Sequence, residues 1–137
     1  MANEHVLVVE THIPVNFNKA TGLALEQGAI VELADNMTAI VATNNDFVGG
    51  VVHTEVTATE ASASVSVYRG GIFRATASAA ITIGQTLAMT GTGNKLKPAV
   101  AGDTGSKTVG IALEVASGDN EVFLYELSPG VQTNAFS

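Results

Sequence analysis

The pattern that most limits what this chain can become is the punctuation of residues Ala80–Leu127. They read AITIGQTLAMTGTGNKLKPAVAGDTGSKTVGIALEVASGDNEVFLYEL. Short apolar runs are separated by Gly, Asn, Asp and Ser, and helical spacing is almost absent. Ile81 and Leu87 flank Gly84, and Leu96 follows a turn at Asn94. Val109-Gly110-Ile111-Ala112-Leu113 forms a compact run, and Val122–Leu127 closes the segment. Runs of this length, bounded by turn formers, specify strands.

The upstream half follows the same grammar. Gly28 and the β-branched pair Ile30-Val31 favour a turn and then a strand, although Ala24–Gln27 alone is compatible with helix. Asp35-Asn36 is a turn signal, Thr38–Thr43 a short strand, Asn44-Asn45-Asp46 a second turn. Phe47–Val52 is a strand interrupted by Gly49-Gly50. Ala61, Ala63, Val65 and Val67 alternate with Ser62, Ser64 and Ser66, the period of a half-buried strand. The same Ala/Ser richness also suits a linker. Gly70-Gly71 turns the chain into Ile72-Phe73.

An echo links the halves. Slid by 56 positions, Ala24-Leu25-x-x-Gly28-x-x-Val31 falls on Ala80-Ile81-x-x-Gly84-x-x-Leu87. Val48–Val52 then matches Val109–Leu113, and Val65–Tyr68 matches Val122–Tyr125. Two repeated β units packed together make one barrel or sandwich. Turn punctuation by itself can produce a similar echo.

The expected fold is all-β: a compact β-barrel or sandwich of short strands, with two pseudo-repeated β units and an extended N-terminal arm. Residues 1–22 are the arm, with one strand at Val6–Val9 and Phe17 in a loop between Asn16 and Asn18. Residues 23–127 are the β domain. Residues 128–137 are a C-terminal tail, beginning with the Pro129-Gly130 stop and lying over the surface.

With 137 residues the chain has the size of one domain. Its core must be aliphatic, since aromatics make up 5% and Trp is absent. A mean hydropathy of +0.30 with 14% charged residues is apolar for a monomer of this size, which predicts an oligomer. The net charge of −7 and the scattered Lys19, Arg69, Arg74, Lys95, Lys97 and Lys107 argue against direct contact with nucleic acid. The absence of cysteine removes disulfide and thiolate chemistry and suits synthesis in a reducing cytoplasm. The start of the sequence has no basic segment leading into a long apolar one, and no run reaches membrane-span length; no membrane association is expected.

The candidate chemical motifs fail on inspection. Gly102–Thr108 lacks the Gly-Lys-Ser/Thr order of a phosphate loop, and a strand follows instead of a helix. Gly91-Thr92-Gly93 lacks the third glycine of a dinucleotide fingerprint. His5, His12 and His53 have no metal-ligand spacing and read as exposed strand-end residues. His53-Thr54-Glu55 has no accompanying nucleophile motif. Ser117–Glu121 lacks the alternating oxygen ligands of a calcium loop. The Asn36-Met37-Thr38 sequon reads as chance. Arg69 and Arg74 bracket the Gly70-Gly71 turn, where a solvated hairpin tip is the common case and a cross-interface ion pair the rarer one. No enzyme activity, cofactor or metal is expected.

Val65–Leu87 (VSVYRGGIFRATASAAITIGQTL), Lys97-Pro98-Ala99, Val109–Glu114 (VGIALE) and Gly118–Leu124 together resemble the small phage capsid decoration, or cement, proteins. Gly71-Ile72-Phe73, Ala77–Leu87, Val109–Ala112 and Gly118–Leu124 stand at that family's successive elements. Val48-Gly49-Gly50-Val51 fits its first half. The N-terminal arm and residues 53–64 depart from the pattern. The resemblance implies a non-enzymatic virion protein on the outer surface of a phage head. It implies trimers at three-fold positions that clamp neighbouring major capsid subunits after expansion. Val6, Leu7, Val8, Val9, Phe17, Arg69 and Arg74 are the candidate capsid or protomer contacts. Deleting residues 1–12 is expected to leave a folded core with weaker capsid binding. Rival readings are a virion-associated receptor- or glycan-binding module, a self-assembling shell or sheath protein, and a small β-barrel enzyme.

Overall fold

A computed structural model describes residues 3–19, 22–41, 47–57, 64–90, 94–100 and 108–129. The readings placed on Asn44–Asp46, Ala61–Ala63, Gly91–Gly93, Gly102–Lys107 and the tail from Gly130 lie outside these residues. The described residues contain strands and turns and no helix. The strands are β1 (Val6–Val9), β2 (Val15–Lys19), β3 (Ile30–Asp35), β4 (Thr38–Val41), β5 (Phe47–Val52) and β6 (Ser64–Tyr68). They continue with β7 (Gly71–Thr76), β8 (Thr86–Met89), β9 (Leu96–Pro98), β10 (Thr108–Ala112) and β11 (Val122–Leu127).

Two units of like topology result. The first is a closed barrel, β2-β4-β3-β5-β6, sealed by parallel pairing of β2 with β4. The second is the sheet β1-β7-β11-β10-β8-β9, in which β7 meets β9 again through a parallel bridge, Ala77 to Leu96. Strand for strand, β2, β3, β4, β5 and β6 correspond to β7, β8, β9, β10 and β11. The strand β1 is the addition, lying antiparallel along β7.

The repeat extends to individual hydrogen bonds. Leu25 bridges Val56, and Ile81 bridges Ala116. The Gly28 N–H donates to the Val52 carbonyl at 3.0 Å, and Gly84 to Ala112 at 2.9 Å. Both glycines have φ of +86°, where a Cβ is strained. That requirement explains why the Leu25–Gly28–Val31 spacing recurs as Ile81–Gly84–Leu87. A second glycine pair sits at register shifts in β5 and β10. A Cβ added at Gly50 would overlap the Tyr68 carbonyl oxygen, and one at Gly110 the Glu126 carbonyl oxygen.

These contacts correct the register of the later matches. Val31 pairs Gly50 and Leu87 pairs Gly110, so Gly50 corresponds to Gly110, one position away from the match read in the sequence. His53 N–H donates to Ser66 O and Leu113 N–H to Leu124 O. Val65 therefore corresponds to Phe123 and Val67 to Tyr125. A one-residue slip in a strand exchanges its faces. Burial agrees, because Val65 and Phe123 are buried whereas Val122 is exposed.

Residues 1–22 carry two strands rather than one, and both join sheets. Phe17 lies in β2 opposite Val65, not in a loop. The first core gathers Phe17, Leu25, Val31, Val52, Val56, Val65 and Val67. The second is built on Phe73, Ile81, Leu87, Phe123 and Tyr125, and it also takes in Ile30, Val48, Val51 and Tyr68 from the first unit. On β5 the neighbours Val51 and Val52 enter different cores, so both faces of this strand are covered. Full burial of a valine contributes about 1.5–3 kcal/mol; β5 thus joins the units through apolar contact.

Candidate functional site

The strand β1 forms one margin of the six-stranded sheet. It pairs Val6 with Arg74, Leu7 with Phe73 and Val9 with Ile72, with a bulge between Leu7 and Val9. Leu7 is half-buried against the second core. Val6, Val8 and Val9 are exposed. The outer edge of β1 has no strand partner among the described residues, and an edge of this kind accepts a further strand. Arg74 is exposed on β7 beside it.

Two candidate contacts behave differently from expectation. Phe17 is buried in the first core and has no surface to offer a partner. Arg69 is not a solvated hairpin tip. Its Nη1 donates to the Gly49 carbonyl at 2.9 Å, and its guanidinium lies 5.6 Å from the Phe47 ring centroid. Burial lowers its pKa from the ordinary arginine value.

His5 is the residue the sequence placed least well. It is 4% exposed. Its Nε2 lies 2.9 Å from the Asn94 carbonyl oxygen, and its Nδ1 lies 2.6 Å from the Tyr125 hydroxyl. A carbonyl only accepts, so Nε2 carries the proton and Nδ1 accepts from Tyr125. The His5 backbone N–H donates to Gly28 O at 2.8 Å, and Asn94 Oδ1 accepts from Ile30 N–H at 3.2 Å. This network ties the N-terminal segment, the first unit and the second unit together. Burial lowers the His5 pKa to about 4, against the opposing pull of the Asn94 hydrogen bond. Burial also holds the Tyr125 hydroxyl well above its ordinary value. Deletion of residues 1–12 would remove both β1 and this network.

His12 and His53 stay nearer the surface. Thr11 Oγ1 lies 2.8 Å from His12 Nδ1. The His53 ring meets Tyr68 edge-on at 5.0 Å, and Tyr68 Oη donates to Glu10 Oε2 at 3.0 Å. Burial first, and Glu10 second, raise the Tyr68 pKa. Among the described residues no cluster of three or more metal-ligating side chains occurs, and no helix is long and apolar enough to cross a membrane.

A profile of the phage cement proteins matches residues 9–127. The chain belongs to the phage cement protein family. It is a structural protein associated with the phage head, as its family membership indicates. No curated protein sequence matches it significantly. Its fold is similar to that of the head fiber gp8.5 N base in bacteriophage phi29. The TM-score is 0.55 at 17% identity, covering 88% of this chain and 100% of that one. For a cement protein, the informative surfaces are those that a shell or a second copy can reach. The edge and exposed valines of β1 form one. Ile83, Ile111, Leu113, Val115 and Val122 on the second unit are also exposed.

Proposed function

We propose that this cement protein binds the outer surface of the phage head and stabilises the expanded shell by clamping neighbouring major capsid subunits. The observation that carries the reading is β1, an edge strand with Val6, Val8 and Val9 exposed beside Arg74. An edge of this kind takes up an extended segment through main-chain hydrogen bonds, with specificity from alternate side chains. A protein that binds only the expanded shell stabilises it by mass action. A symmetric homo-oligomer, a trimer in this reading, engages several subunits at once and multiplies modest contacts. The protein would be made in the host cytoplasm and act at the virion surface without direct contact with nucleic acid or membrane.

The glycan-binding alternative draws less support. Stacking on sugars needs accessible rings; Phe17, Tyr68, Phe73, Phe123 and Tyr125 are buried, and the exposed Phe47 ring has the Arg69 guanidinium 5.6 Å from its centroid.

The test is Val6→Ser/Val8→Ser/Val9→Ser, which keeps His5 and Leu7. We expect at least a tenfold loss of affinity for expanded heads, with thermal unfolding shifted by only a few degrees. Unchanged occupancy on purified heads would rule out β1 as the shell contact.

A further inference from the structure

The internal repeat shows what one of its own exposed faces is built to receive. Within the chain, the first unit packs on the second through Val51 and Tyr68. The Tyr68 ring meets Phe73 at 5.6 Å, and Val51 and Phe73 are each 1% exposed. The register assigns Val51, Tyr68 and Phe73 the counterparts Ile111, Glu126 and Val15. Gly50 corresponds to Gly110, so Val51 corresponds to Ile111. Val15 pairs Val67 as Phe73 pairs Tyr125, so Phe73 corresponds to Val15. Ile111 and Val15 are apolar, yet they are 36% and 38% exposed; Glu126, in the place of Tyr68, is charged. One chain therefore carries a covered junction and, at its two ends, an exposed apolar residue at the position of Val51 and another at the position of Phe73.

The surroundings point the same way. At the first unit's corner, a Cβ on Gly28 would run into Glu4 and His5, because the N-terminal segment covers it. At the corresponding corner, a Cβ on Gly84 would meet nothing within 4 Å. Around that first corner stand the polar Gln27, His53 and Glu55, of which Gln27 and Glu55 are exposed. Around the open one stand Ile83, Leu113 and Val115, all exposed. Where the first unit presents polar side chains, the second presents exposed apolar ones, a surface that favours cover by another chain. Ile13, exposed beside Val15, extends the other half.

We infer that the Ile111 face of the second unit receives the Val15 face of a second copy, head to tail, repeating between chains the junction that joins the two units within one. The contact is heterologous, using a different surface on each partner, and it closes into a ring when the rotation per copy permits. This deepens the oligomer part of the proposed function. It rests on the repeat and not on head binding, so it is tested on the free protein. Each copy carries a charge of −7, so added salt, by screening repulsion, favours the assembly.

The experiment uses Ile111→Asp and Val15→Asp, each altering one half of the junction. Both positions are exposed, and unchanged thermal unfolding checks that each variant is folded. In sedimentation velocity the wild type is expected as an oligomer and each variant alone as a monomer. An equimolar mixture of the two variants is expected to form a dimer and nothing larger, because one intact junction remains available. A second pair, Val15→Cys and Ile111→Cys, is read in a chain with no cysteine of its own. It should form a disulfide-linked dimer far more readily when mixed than when either is oxidised alone. A monomeric wild type, an oligomeric single variant, or a mixture that stays monomeric would each overturn the inference. Loss of head binding with this pattern intact would count against the proposed function alone.

Discussion

The buried histidine at the junction makes stability depend on pH in a calculable way. His5 has its pKa lowered from 6.5 to about 4, chiefly by burial. Between those values the unfolded chain binds the proton and the folded chain does not. The His5 contribution is therefore complete above pH 6.5, declines as pH falls, and is lost at the folded value. One pH unit corresponds to about 1.4 kcal/mol, so this gap is worth about 3 kcal/mol. With a urea slope of roughly 1–3 kcal/mol/M, the midpoint should fall by roughly 1–3 M across the window. The assay is urea unfolding at closely spaced pH values for wild type and His5→Gln. Glutamine can donate to the Asn94 carbonyl but does not titrate, and carboxylates act alike in both proteins. The variant is expected to be less stable at pH 7, with the difference narrowing toward pH 4. Parallel curves between pH 6.5 and 4.5 would refute the buried neutral histidine.

Gly50→Ala and Gly110→Ala each drive a Cβ into a carbonyl oxygen of the neighbouring strand, and each should cost about 3 kcal/mol or more. Gly118→Ala meets nothing within 4 Å and should stay within about 0.5 kcal/mol of wild type in the same thermal unfolding assay. Lys95 pairs with Asp119 at 2.9 Å on an exposed surface, so Lys95→Ala should cost less than about 1 kcal/mol, and less still in high salt.

The parts of the fold legible in the sequence were those fixed by local geometry. Gly28 and Gly84 recur because each corner needs a positive φ, and the apolar residues around them recur because each corner closes the same bridge. The register of β5 with β10, and of β6 with β11, was off by one because bulges and unequal loops intervene. Only strand pairing resolves a slip of that size. Phe17 between Asn16 and Asn18 carried a period-two signal, but three residues are too few to separate a strand from a loop. The burial of His5 depends on Asn94 and Tyr125, 89 and 120 residues away in sequence, and no local pattern announces it. The exposure of Ile83, Ile111, Leu113 and Val115 was not legible, because hydropathy reports only that burial is favourable. It does not say whether the cover comes from the same chain.

The central claim, a cement protein that bridges subunits of the expanded shell, is tested most directly by imaging expanded heads of the phage that encodes this chain, with and without the protein. The account predicts two-unit density on the outer surface, in symmetric clusters, with each copy touching more than one major capsid subunit. Density confined to a single subunit, density inside the shell, or bare heads at saturating protein would contradict it.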